Sequence, residues 1–245
     1  MIVTDARIGA VNSERVAIFA GPSACVVNDP RIVRFPPASA GDLVAAHRLG
    51  IRRIVYADSL FFDACPTHRE IMALIGSGVE LVGCASAGAL RAAELKSSGM
   101  RGVGIVCTLV RAGLLKEDGE LALLLNDDYS AAGYPLLQIR YYLGYLLQMG
   151  LARAELAMVF AKISSTYFML RSKEYIEDTI ERHLKIGDNA SLLPIGSPIF
   201  DLKGMDLERA MRWVLRLKPS VARVNRCWLR IGLGLGSSGC AVRLP

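Results

Sequence analysis

The chain has 245 residues, with 29 basic and 23 acidic side chains, 3 histidines and a formal net charge of +6. That length holds one large α/β domain, or a domain with an appendage, and either buries a substantial core. The longest apolar runs, at 121–125, 143–147 and 231–235, fall far short of the roughly 18 residues of a membrane span, and the first ten residues carry Asp5 and Arg7 in place of a secretory apolar core, so no membrane partner is expected and the expected location is the cytoplasm.

Counted with glycine in place of tyrosine, apolar residues make up about 58% of the chain against a usual ~45–50%, which predicts a large buried fraction or a permanent interface. The charge is uneven: residues 203–245 hold 9 basic and 2 acidic groups, while the remainder is nearly balanced. Arginines without interleaved aromatics form a solvated face or meet an acidic partner, so no nucleic acid is expected. Cys25, Cys65, Cys84, Cys107, Cys227 and Cys240 stand singly, which suits buried thiols and offers neither a disulfide framework nor a four-ligand zinc set.

In chain order, strands are predicted at 16–20, 53–57 and 80–84 and helices at 42–49, 67–75 and 87–96. The strands are continuous apolar runs (VAIFA, IVYA, ELVGC), as required of strands covered on both faces. Asp42 and Thr67 are placed to cap their helices, and a further strand is predicted at 103–107. From Leu136 the pattern turns helical: Leu151, Leu156, Val159, Phe160, Ile163, Tyr167 and Leu170 share one stripe, and Tyr175, Ile176, Ile180 and Leu184 the next. Asp206 can cap a last amphipathic helix with Leu207, Met211, Val214 and Leu215 inside and Arg209, Arg212 and Arg216 outside, ended by Pro219, and the stretch 232–239 reads as flexible. The fold class is α/β, a Rossmann-like mostly parallel sheet flanked by helices and followed by a helical C-terminal half. Three parts are expected: a core at 1–135, a helical region packed on it at 136–218, and a basic, glycine-rich tail at 219–245.

Ligands of open parallel sheets bind outside the carboxyl ends of the strands, and three polar clusters fall there: Gly21-Pro22-Ser23, Asp58-Ser59 and the stretch around Ser86. Ser86 lies at a strand-to-helix turn among small residues, the local shape of a nucleophile elbow, although Cys84 occupies the first glycine position of G-x-S-x-G. Two readings stay open for it: a nucleophile served by the amides of Ala87 and Gly88, or an N-cap. Asp58 can orient a base or a ligand or cap a turn, and His68 can act as a base or sit in a surface first turn beside Glu70. Gly21-Pro22-Ser23 could cradle a phosphate, but neither G-x-G-x-x-G nor a P-loop is present, so no cofactor is expected, and the spacings indicate no metal.

The segments VAIFAGPSA, YADSLFF, PTHREIM and GVELVGCASAGALRAAELKSSGMRGVG, followed by the acidic stretch 117–120, resemble the core of the TfuA-like family over roughly residues 14–130. The resemblance implies an accessory protein of a YcaO-type enzyme that replaces an amide oxygen by sulfur in a ribosomally made precursor peptide, such as that of an antibiotic. It also implies a ThiS-like sulfur carrier protein, whose C-terminal thiocarboxylate is hydrolysed by a Ser-Lys pair to release sulfide. The serine falls on Ser86. The lysine position, in a His-Lys-Glu run, is His68-Arg69-Glu70 here, and arginine does not give up its proton in a protein. His68 or a distant lysine such as Lys96 then supplies the base, or the chain is a non-catalytic adaptor docking the YcaO enzyme, carrier and peptide. The resulting candidates are Ser86, His68, Arg69 and Asp58 for catalysis, and Gly21, Pro22, Ser23, Ala87, Gly88, Glu70 and Arg91 for substrate or oxyanion binding.

Overall fold

The computed structural model describes residues 14–21, 23, 27–60, 64–115, 118–184, 192–218 and 224–235. The expectations that fall on the N-terminal decapeptide, Pro22, Cys25, residues 61–62, Glu117, Pro219, the glycines beyond 235 and Cys240 lie outside these residues. Five parallel strands, β1 (Val16–Phe19), β2 (Ile32–Phe35), β3 (Arg53–Tyr56), β4 (Glu80–Gly83) and β5 (Arg101–Gly102), form one sheet in the order β2-β1-β3-β4-β5. The chain goes to one side of β1 and then to the other, so the switch point, where doubly wound sheets bind ligands, lies between the carboxyl ends of β1 and β3.

Alternate strand residues supply two cores. Ala17, Phe19, Ile54, Tyr56 and Leu81 pack with residues of α1 (Asp42–Arg48), α2 (His68–Gly76) and α3 (Ala87–Glu94). Val16, Ile18, Val55 and Val82 pack instead against Leu207, Ala210, Met211 and Val214 of α8 (Leu202–Val214). Successive strand residues point to opposite faces, so β1, β3 and β4 each feed both cores, and each fully buried large apolar side chain contributes about 1.5–3 kcal/mol. Between α3 and α8 run α4 (Ile105–Arg111), α5 (Leu136–Gln148), α6 (Arg153–Ser165) and α7 (Lys173–Leu184), and α9 (Arg226–Leu233) follows. The chain is thus α/β with a helical C-terminal half, and one of those late helices closes a face of the sheet.

Several local expectations change. The strand expected at 103–107 is the short β5 followed by α4, because both carboxylate oxygens of Asp206 accept amide bonds at the start of α4, from Ile105 (2.7 Å) and Val106 (2.8 Å). Asp206 therefore caps another helix, and its own is capped by Asp201, which accepts from Gly204 N at 2.8 Å. Gly41 rather than Asp42 holds the N-cap of α1, and Asp42 accepts from Ser39 N at 2.8 Å. Tyr167 and Leu170 leave the buried stripe because α6 stops at Ser165, and they are 58% and 66% exposed. Gly232, read as flexible, lies in α9, where a Cβ would sit 1.8 Å from the Arg140 carbonyl oxygen of α5, so its hydrogen is what lets the two helices touch.

Candidate functional site

Asp58 stands two residues beyond the end of β3 and is 2% exposed. The amides of Ala57 and Asp58 both donate to the Phe19 carbonyl, at 2.9 and 3.2 Å, and hold the ends of β3 and β1 together. The Asp58 carboxylate accepts from Gly21 N (3.0 Å), Ser23 N (3.1 Å) and Ser23 Oγ (3.1 Å). The loop after β1 does cradle an anion, but that anion is the chain's own aspartate, and Gly21 and Ser23 spend their amides on it. A phosphate held by those amides is therefore not supported. Pro22 lies outside the described residues.

After β4 the chain turns through Ala85, whose φ of 63° is unusual for a residue with a side chain, and enters α3 at Ala87. Ser86 occupies the N-cap position, yet its side chain makes no capping bond. The reading of its hydroxyl as a cap therefore falls away. Gly88 N donates to the Ala57 carbonyl at 3.0 Å, and a Cβ on Gly88 would meet the Tyr56 carbonyl oxygen at 1.7 Å. This close approach draws the start of α3 against the end of β3 and brings Ser86 to the edge where Asp58 lies. Gly88's amide is committed to that contact, while Ala87 opens the helix, where amides have no intrahelical partner.

A residue that sequence reasoning did not select completes the cluster. Lys203, in the first turn of α8, is 5% exposed, with Nζ 3.8 Å from Asp58 Oδ1 and donating to the Leu121 carbonyl at 3.2 Å. Burial pulls its pKa below the ordinary lysine value, opposed by the negative charges of Asp58 and Asp201. Burial likewise pushes the Asp201 carboxyl up. One signal was legible: Lys203 stands four residues before Leu207 and eight before Met211, on the buried stripe of its helix.

Ser86, Asp58 and Lys203 all line a cavity of about 440 Å³, together with Ala87, Cys65, Arg91, Glu94 and an apolar wall that includes Leu121, Leu124, Phe168 and Met169. The other expected residues lie elsewhere. His68, with its side chain 48% exposed, pairs through Nε2 with Glu94 Oε2 at 2.8 Å, and Arg91 Nη1 reaches the same oxygen at 2.7 Å. Arg69 is exposed and outside the cavity lining, and Glu70 accepts from Gly41 N at 3.1–3.2 Å. Lys96 is exposed and also absent from the lining. The cavity thus brings together Ser86, Asp58, Ala87 and Arg91, adds Lys203, and leaves Gly21, Ser23, Gly88, His68, Arg69 and Glu70 in its supporting wall or beyond it.

A hydroxyl at a strand-to-helix turn, the amide of a helix's first residue and an amine whose charged form is disfavoured are parts that acyl transfer can use. Among the described residues no helix is long and apolar enough to cross a membrane. Comparison with curated proteins returns no match. Residues 58–172 match the family model for TfuA-like proteins, a segment that begins at Asp58 itself, takes in α2, the Ser86 elbow and most of the cavity wall, and stops short of α8. Over that segment the chain is similar to TfuA-like proteins, which supports the likeness read from the sequence.

Proposed function

We propose that this protein serves a YcaO-type enzyme in thioamidation of a ribosomally made precursor peptide, by hydrolysing the C-terminal thiocarboxylate of a ThiS-like carrier protein to release sulfide. The observation that carries this reading is the uncapped hydroxyl of Ser86 in one cavity with the buried amine of Lys203. Neutral Lys203 Nζ takes the proton as Ser86 Oγ adds to the thiocarboxyl carbon. The Ala87 amide, helped by the dipole of α3, faces the oxyanion. Collapse breaks the carbon–sulfur bond, and sulfide departs with the proton from Lys203. Water, deprotonated by the same amine, then cleaves the acyl-serine and returns the carrier as its carboxylate. Asp58 is a positioning residue, holding the loop after β1 and, while Lys203 carries the proton taken from Ser86, stabilising the ammonium. Arginine at position 69 is no obstacle on this reading, since the base comes from α8.

The test is sulfide release from a thiocarboxylated carrier by wild type and Ser86→Ala, each with and without the YcaO enzyme. Release should fall by at least about 100-fold in the variant, in line with loss of a covalent nucleophile. Equal release by the two proteins would refute the hydrolase. A second reading, a docking adaptor, draws on the outer face of α8, where exposed Trp213 lies under the Arg101 guanidinium at 5.0 Å, with Arg209 on the same helix and exposed Arg216 and Lys218 just beyond its end. Arginine and tryptophan together are typical of interface hot spots.

A further inference from the structure

Releasing sulfide from a thiocarboxylate uses only the polar side of the cavity, Ser86, Ala87, Lys203 and Asp58. The remaining wall is contributed largely by Leu90, Leu121, Leu123, Leu124, Phe168 and Met169, and the volume of about 440 Å³ falls in the range of small-molecule sites. Apolar side chains placed around a nucleophile bind whatever apolar group is attached to the carbonyl under attack, because burying that group releases its hydration and lowers the energy of the bound state. A thiocarboxylate alone has no such group. We propose that the same cavity hydrolyses esters and thioesters of straight-chain apolar acids, with the acyl chain lying along the leucine, phenylalanine and methionine wall.

This inference rests on Ser86 being the nucleophile of the proposed function. The step balances without a further reagent. Ser86 Oγ bonds to the acyl carbon and its proton passes to Lys203. The bond from that carbon to the alkoxide or thiolate breaks, and the leaving group takes the proton. Water then releases the free carboxylic acid and restores the serine.

The experiment measures kcat/KM of the full chain on the p-nitrophenyl esters of acetate, butanoate, hexanoate and octanoate, for wild type, Ser86→Ala and Met169→Asp. The three proteins are compared at matched thermal midpoints, and each is also assayed for sulfide release from a thiocarboxylated carrier. Met169 is 40% exposed, so its replacement leaves the core intact while putting a charge on the wall. In wild type kcat/KM should rise about three- to fourfold per methylene from acetate to hexanoate, in keeping with burial of each group. Ser86→Ala should abolish the activity, and Met169→Asp should flatten the rise. A Ser86-dependent activity that is flat or falls with chain length overturns the acyl site. So does the absence of Ser86-dependent ester hydrolysis, and if sulfide release still requires Ser86, the sulfide reading survives without it. Sulfide release indifferent to Ser86 would remove both.

Discussion

An amine enclosed by protein loses hydration that no single neighbour replaces, and Lys203 offsets that loss with one carbonyl and two nearby carboxylates. Replacing it by methionine keeps the methylene stem and removes the base. Asp58 would keep its three bonds from Gly21 and Ser23, so Lys203→Met should fold. Its sulfide release should fall by about 100- to 10,000-fold, the usual range for a lost general base. In wild type the rate should rise with pH along a limb whose midpoint lies below the ordinary lysine value, since burial disfavours the charged amine, and that limb should vanish in the variant. At this scale the sequence was informative where local chemistry decides: Ser86 and Asp58 stand at strand ends, and strand ends are where such sheets bind. It was silent where distant packing decides. The stripe position of Lys203 marks it as inward-facing, but its meeting with Asp58 depends on α8 crossing the sheet, which no local pattern states.

The same division holds for whole elements. The apolar runs of β1, β3 and β4 announce buried parallel strands, and the caps of α2 and the turn into α3 are legible within a few residues. The run after Gly102 was misread as a strand because its helix is capped by a carboxylate about a hundred residues away. β2 escaped notice because IVRF, an edge strand with Arg34 inside it and a proline after it, is no continuous apolar run. The long-range cap makes stability depend on pH. Burial pushes Asp206 from 3.8 up to about 7, against the pull of the two α4 amides and Arg209. Above pH 4 the unfolded chain has released this proton and the folded chain still holds it, so the contribution is full below about pH 4 and is lost as pH rises through about 7. Urea midpoints at pH 5 and pH 8 should therefore differ more for wild type than for Asp206→Asn, in which the group no longer titrates.

For the molecule as a whole, the excess of apolar residues is accounted for largely by a sheet buried on both faces and by the packed late helices. The concentration of positive charge after residue 202 lies partly on the outer face of α8 and gives the adaptor reading its own prediction. Reversing Arg209 and Arg216 to glutamate should weaken binding to the YcaO enzyme by tenfold or more at low salt, and less at high salt, as measured by calorimetry. Unchanged affinity at both salt concentrations would count against docking through this face.

Helix α8 has two jobs at once: its apolar stripe roofs one side of the sheet, and its first turn delivers Lys203 to the strand ends. Roof and reagent therefore cannot be separated. A chain whose α8 has come loose exposes Val16, Ile18, Val55 and Val82 and, in the same movement, withdraws the amine from Asp58 and the cavity. Damage that leaves the protein half-folded thus also takes the cavity apart, so loss of the sheet's cover and loss of the buried amine should appear together in one unfolding transition.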